Sequence, residues 1–145
     1  MIVRAGAPHD CAAALAIWRA AVDATHGFLS TEDRQAIDAQ VSAFLPQSPL
    51  WVAEQGGEVA GFMVLDGDMI EALFVDPLRH GQGVGSALVA HALTHAPQAR
   101  VDANEQADNA AAFYLAKGFE RIGRSERDSE GRPYPLIHFR YPAGE

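Results

Sequence analysis

The densest chemistry in the chain lies between Met69 and Ser86. Met69-Ile-Glu-Ala-Leu-Phe-Val75 is an apolar run of strand character interrupted by one acid, Glu71. It leads through Asp76-Pro77-Leu78-Arg79 into His80-Gly81-Gln82-Gly83-Val84-Gly85-Ser86. Glycines at alternate positions let the backbone approach a ligand with its N–H groups exposed. The helical stretch that follows adds unsatisfied N–H donors and the positive end of its dipole. This order builds an anion cradle, and phosphate or pyrophosphate is its natural guest.

Known glycine loops can be tested against these residues. A P-loop needs Gly-Lys-Ser/Thr to reach phosphates and magnesium, whereas Gly85 is followed by Ser86 and Ala87. A dinucleotide fingerprint, Gly-x-Gly-x-x-Gly, meets Ser86 or Leu88 at its sixth position, although Asp102 stands about twenty residues on, where a ribose-binding acid would lie. A plain turn does not call for three glycines in five residues between a strand and a helix.

The loop resembles motif A of the GNAT superfamily, the acyl-CoA-dependent N-acetyltransferases. In that pattern Gln/Arg-x-x-Gly-x-Gly/Ala follows a strand that often ends in Val-Asp-Pro. Gly83-Val84-Gly85 fills its Gly-x-Gly part, and the leading position falls on His80, beside Arg79. Downstream, Phe113-Tyr114-Leu115-Ala116-Lys117-Gly118-Phe119 is similar to the family's Phe-Tyr-x-x-x-Gly-Phe segment. Where the family usually has an asparagine before that segment, this chain has Ala107, flanked by Asn104 and Asn109. The resemblance covers Ile2 to about Tyr141. It implies acetyl-CoA as cofactor, with its pyrophosphate on the backbone from His80 to Ser86 (His80, Gly81, Gln82, Gly83, Val84, Gly85, Ser86). Asn104 or Asn109 would contact the cofactor arm, and the backbone N–H of Phe74 or Val75 would face the acyl oxygen. It also implies that Tyr114 touches the cofactor and protonates the departing thiolate.

Acyl transfer from a thioester to an amine needs a proton acceptor as well, because an ammonium cannot attack. Alternation along the strand predicts Glu71, Leu73 and Val75 on one face, and an acid in an apolar strand makes Glu71 the first base candidate. His26 is the second. It lies in Asp23-Ala24-Thr25-His26-Gly27-Phe28-Leu29, a mixture of acid, imidazole and ring where a turn would suffice. Asp23 can pair with an ammonium there, Phe28 can line the acceptor site, and Tyr134 in Gly131-Arg132-Pro133-Tyr134-Pro135 can close its other side. His138 reads as a strand-surface residue.

Composition narrows the function. Eleven Lys and Arg against nineteen Asp and Glu give a net charge of −8, which disfavours nucleic acid and suits a cationic amine. The expected acceptor is a small-molecule amine, with direct transfer in a ternary complex. A peptide N-terminus or lysine, or a non-catalytic acyl-CoA-binding module, is the alternative. Cys11 is alone and no Cys/His cluster has zinc-ligand spacing, so neither a disulfide framework nor a metal is expected. The longest apolar run, Cys11 to Trp18, is too short for a membrane span, and the N-terminus lacks a signal-peptide layout. The expectation is a cytoplasmic protein with no membrane partner, for which a homodimer is compatible.

With 145 residues, 48% of them hydrophobic, a single domain over residues 1–145 is expected. Ile2 to Arg4 reads as a strand and about Pro8 or Asp10 to Ala24 as a helix, with Cys11, Leu15, Trp18 and Val22 on one face. Ser30 and Asp33 open a second helix whose Ile37, Val41, Phe44 and Leu45 share a face; Pro46 and Pro49 stop it. Leu50 to Glu54 and Glu58 to Leu65 make a hairpin about Gly56-Gly57, followed by the strand Met69 to Val75 and the cradle helix to about His95. A strand near Ala99 to Ala103, a helix from about Asp108 to Lys117, and strands Phe119 to Arg127 and Leu136 to Tyr141 complete the order. The fold class is α/β (α+β). The resemblance implies a mixed, mostly antiparallel twisted sheet of about seven strands with about four helices and splayed central strands.

Overall fold

The computed structural model describes residues 1–107 and 109–143. One seven-stranded sheet organises them, in the order β1-β2-β3-β4-β5-β7-β6. Its strands are β1 (Ile2–Ala5), β2 (Leu50–Gln55), β3 (Glu58–Asp66), β4 (Met69–Val75), β5 (Arg100–Asn104), β6 (Glu120–Ser125) and β7 (Leu136–Arg140). The helices are α1 (Cys11–Thr25), α2 (Thr31–Phe44), α3 (Val84–His95) and α4 (Ala110–Ala116). All neighbouring strands are antiparallel except β4 and β5. The helix expected from about Asp108 has its first expected residue outside the described ones.

Strand β3 shows why the sheet has two covered faces. Phe62 and Val64 point into a cluster with Ala14, Ile17, Trp18 and Val22 of α1, while Met63 and Leu65 point into one with Val84, Leu88, Val89 and Ala92 of α3. The face of α1 is therefore Ala14, Ile17, Trp18, Ala21 and Val22, and Cys11 is only partly buried. Helix α2 starts as expected, with Ser30 Oγ accepting from Asp33 N–H at 3.1 Å. It buries no residue fully, however, and Phe44, expected on its packed face, is exposed.

The central strands part as expected. Between β4 and β5 only Met69↔Arg100 and Ile70↔Val101 are paired, and beyond that rung the strands separate. On its other side β4 stays paired with β3 up to Gly61↔Val75. Among the described residues no helix is long and apolar enough to cross a membrane.

Candidate active site

The cradle is built locally. Asp76 Oδ1 accepts from Leu78 N–H at 3.0 Å, and Pro77 opens a short 3-10 turn, Pro77–Arg79, that brings the chain off β4. Gly81 and Gly83 then take φ of 79° and 82°, a left-handed region that L side chains rarely adopt. Nothing stands within 4 Å of where a β-carbon would lie on either. Gly83 is the N-cap of α3, so the open first turn of a 12-residue helix faces the same space.

From this cradle a cleft of about 610 Å³ runs between the splayed strands. Leu73, Phe74 and Val75 of β4 line one wall, and Asn109, Phe113, Tyr114 and Lys117 line the other. Thr25 and His26, at the end of α1, also reach it. The β4 register decides which backbone groups face it. Asp76 N–H donates to Ala60 O at 2.9 Å, and the alternation of an antiparallel ladder turns Phe74 toward Phe62. Leu73 and Val75 are left with their N–H groups toward the gap. Of the two expected oxyanion donors, Val75 has the open donor and Phe74 contributes its side of the wall.

Tyr114 is 7% exposed, held edge-on by Phe113 and Phe119 and tilted against Phe139. Its hydroxyl has no hydrogen-bond partner among the described residues, and burial pushes its phenol above the ordinary value. A neutral O–H that stays protonated is suited to giving a proton. His26 Nδ1 lies 2.6 Å from Thr25 Oγ1, and the imidazole ring sits 5.2 Å from that of Phe28.

Several expected residues stand elsewhere. Glu71 does not share a face with Leu73 and Val75. A bulge sets Val64 opposite Ala72 and Leu65 opposite Ile70, so Ile70 joins the α3-side core and Glu71 is the extra, exposed residue. Glu71 therefore stands at the fork, one residue past the last β4–β5 rung, and does not line the cleft. Asn104 is occupied in a turn, its Oδ1 accepting from Gln106 N–H at 3.0 Å, while Asn109 and Ala107 do line the cleft. Gln82 is outside the lining; His80, Gly81, Gly83, Val84, Gly85 and Ser86 are in it. Asp23 is paired with Arg34 at 2.8 Å and borders a separate surface pocket. Phe28 and Tyr134 pack together, ring centroids 5.7 Å apart, and line neither space.

The structure also brings together residues that the sequence keeps apart. His138 Nδ1 is 2.6 Å from Asp102 Oδ1, and its Nε2 is 2.6 Å from Ser125 Oγ. The three lie on β7, β5 and β6, more than ten residues apart in pairs, so no local spacing announces them. Among the described residues no group of three His, Cys, Asp or Glu side chains is placed to hold a metal ion.

A family model described as an acetyltransferase (GNAT) domain matches residues 19–134. The chain belongs to the GNAT acetyltransferase family. It is 51% identical over 129 residues to the peptidyl-lysine N-acetyltransferase YjaB of Salmonella typhimurium, covering 88% of this chain and 89% of that protein. Identity to YjaB of Escherichia coli is 48% over 128 residues, 88% of this chain and 87% of the relative. The solution structure of apo-form YjaB from E. coli superimposes with a TM-score of 0.92 at 44% identity, covering 99% of this chain and 100% of that one. The sheet and its flanking helices are thus a GNAT fold, and this chain is an N-acetyltransferase built on it.

Proposed function

We propose that the chain transfers the acetyl group of acetyl-CoA directly to a primary amine, and that the amine is a lysine side chain of a protein or peptide. The observation that carries this is the continuity of one cleft from the glycine cradle, past the free edge of β4, to Tyr114. The cradle fits the cofactor's pyrophosphate because the space above Gly81 and Gly83 is open. Lys117, Nζ 5.7 Å from the centre of the Phe113 ring, adds positive charge at the wall. Arg79 lines the cleft too but is held by Gln55 Oε1 and Glu58 at 3.0 Å each.

When bound, acetyl-CoA supplies an acyl carbon activated as a thioester. The chain's own groups then have separate tasks. Val75 N–H, unpaired in the ladder, donates to an acyl oxygen and favours the charge that develops there. Tyr114 donates its proton to a leaving sulfur. His26, at the cleft wall, and Glu71, at the fork, are the groups available to take the ammonium proton, directly or through water.

Lysine is preferred as acceptor because the curated relatives are named peptidyl-lysine N-acetyltransferases. The net charge of −8 suits it as well. A small amine presents the same ammonium to the same cleft. Two measurements test the proposal. Acetyl-CoA or CoA should raise the melting temperature and NAD should not, since a ligand selective for the native state stabilises it by mass action. A thiol-release assay over lysine peptides, polyamines, amino acids and small amines should then give highest kcat/KM with peptides. Stabilisation by NAD alone overturns the assignment of the cradle. Stabilisation by CoA with no turnover of any amine leaves a binding module, and a free amine outrunning every peptide moves the acceptor to small molecules.

A further inference from the structure

We propose that His91 and His95 form a chelating site for one borderline divalent transition-metal ion, copper(II) or zinc(II), at the C-terminal end of α3. The two side chains stand four residues apart on this helix, so they lie one above the other on the same face. Their Nε2 atoms are 3.2 Å apart, and the ring planes are inclined by 56°. An imidazole nitrogen lies about 2.0–2.1 Å from a bound zinc ion, so two nitrogens at that separation meet a shared ion at roughly 100°, between the square-planar and tetrahedral angles. As a hydrogen-bonded neutral pair, one Nε2 carries the proton and the other accepts it. Moving that proton to the Nδ1 of its own ring releases nothing to solvent. Small turns of the two rings then aim both Nε2 lone pairs at the ion.

Two surroundings favour the pair as ligands. Trp51 of β2 packs against both imidazoles, its ring centroid 4.2 Å from that of His91 and 5.1 Å from that of His95. Side chains already held by packing lose less freedom when they bind. His95 is also the last residue of α3, where the negative end of the helix dipole favours a cation, just as the first turn behind Gly83 favours an anion. Twelve helical residues separate these ends by about 18 Å, and neither histidine lines the acetyl-transfer cleft. The ion is therefore structural: it joins the last two turns of α3 over Trp51. Among the described residues no third His, Cys, Asp or Glu joins the pair, so water fills the remaining positions. Two imidazoles select copper(II) above nickel and zinc, whereas magnesium and calcium require oxygen ligands.

The test titrates the untagged, chelator-treated chain with copper(II), zinc(II) and magnesium chlorides at about pH 7.5, where an imidazole is mostly neutral. Copper should quench Trp51 emission with a one-to-one endpoint, zinc should raise the melting temperature by mass action, and magnesium should do neither. Trp18 is buried against the other face of the sheet and serves as the internal reference. Trp51→Phe should therefore remove most of the quenching and keep the copper affinity read by calorimetry. His91→Gln and His95→Gln should each lower that affinity by roughly tenfold or more, because the second ligand binds intramolecularly. A cooperative melt checks that each variant is folded, and His95, the more exposed of the two, can be replaced with least disturbance. In 15N spectra zinc should move the Nε2 resonances of both rings together and leave the other imidazoles in place. Unchanged affinity in both folded variants, a shift of one ring alone, or equal shifts across all histidines means adventitious binding to single imidazoles and overturns the site.

Discussion

Gly85 and Phe113 meet closely enough that any side chain on Gly85 would press on the ring: a β-carbon there would lie 3.1 Å from Phe113 Cζ and 3.2 Å from Cε1. The three glycines of the loop therefore have two different jobs. Gly81 and Gly83 supply positive φ above open space, whereas Gly85 sets how near α3 comes to α4, and so where Tyr114, next to Phe113, stands.

This division predicts different failures. Gly83→Val should fold at a cost of about 1–2 kcal/mol for a left-handed β-branched residue and lose CoA affinity, because its side chain enters the cradle. Gly85→Val should instead displace Phe113 and lower stability whether or not CoA is present. Thermal melts of both variants, with and without CoA, check this; CoA affinity retained by folded Gly83→Val would place the anion elsewhere.

Much of this was legible in the sequence because it is local. Ser30 with Asp33, the Gly56-Gly57 turn and the strand–glycines–helix order are each short-range patterns whose physics acts within a few residues. What stayed hidden depends on neighbours in space. Glu71 is displaced from its expected face by a bulge that forms only against β3, and nothing in Met69 to Val75 encodes where that ladder slips. Asp23 looked free for an ammonium because Arg34, its partner, lies on the next helix. His138 does lie at the strand surface as expected, but its contacts with Asp102 and Ser125 stayed hidden because they come from two other strands.

Tyr114→Phe should preserve the ring's contacts with Phe113, Phe119 and Phe139 and leave CoA affinity unchanged. The kcat should fall by roughly 10²-fold or more, the scale of a lost positioned acid. Since burial raises the phenol's pKa, the wild type should show no alkaline loss from this group across the neutral and mildly basic range. Single-turnover rates and CoA titrations separate the chemical defect from a binding one.

Glu71→Gln and His26→Asn test proton removal at the fork and at the cleft wall. Whichever group relays the ammonium proton, its variant should lose most rate at low pH, where the acceptor is protonated, and recover as free amine appears. A parallel drop at all pH values assigns that residue to geometry or binding. The pH dependence of kcat/KM for the two variants decides between them.

Asp10 ties β1 to the first turn of α1. Its buried carboxylate accepts from Arg4 at 2.8 and 3.1 Å and from Ala7 N–H at 2.7 Å, and these bonds hold its pKa at about 2. A carboxylate depressed on folding stabilises above its unfolded value, near 3.8, and that contribution is lost as pH falls toward 2. Asp10→Asn should therefore cost about 1–3 kcal/mol near neutral pH. Its melting temperature should approach that of the wild type as pH falls through this window, as melts from pH 7 downward would show.

Tyr134 gives the last test, because its hydroxyl donates to Asp33 Oδ2 and accepts from Ser30 N–H at 3.4 Å. It thereby fastens the segment before β7 to the first turn of α2, and its ring carries that of Phe28, which in turn meets His26. Tyr134→Phe removes the tie and keeps the ring, so the segment that carries Phe28 and His26 should loosen while the glycine cradle does not change. KM for a lysine peptide should rise roughly three- to tenfold, the effect of about 1 kcal/mol from one lost polar contact, with CoA affinity unaltered. A fall in CoA affinity with unchanged peptide KM would show that this contact holds the cofactor side, and the acceptor would then have to enter from elsewhere.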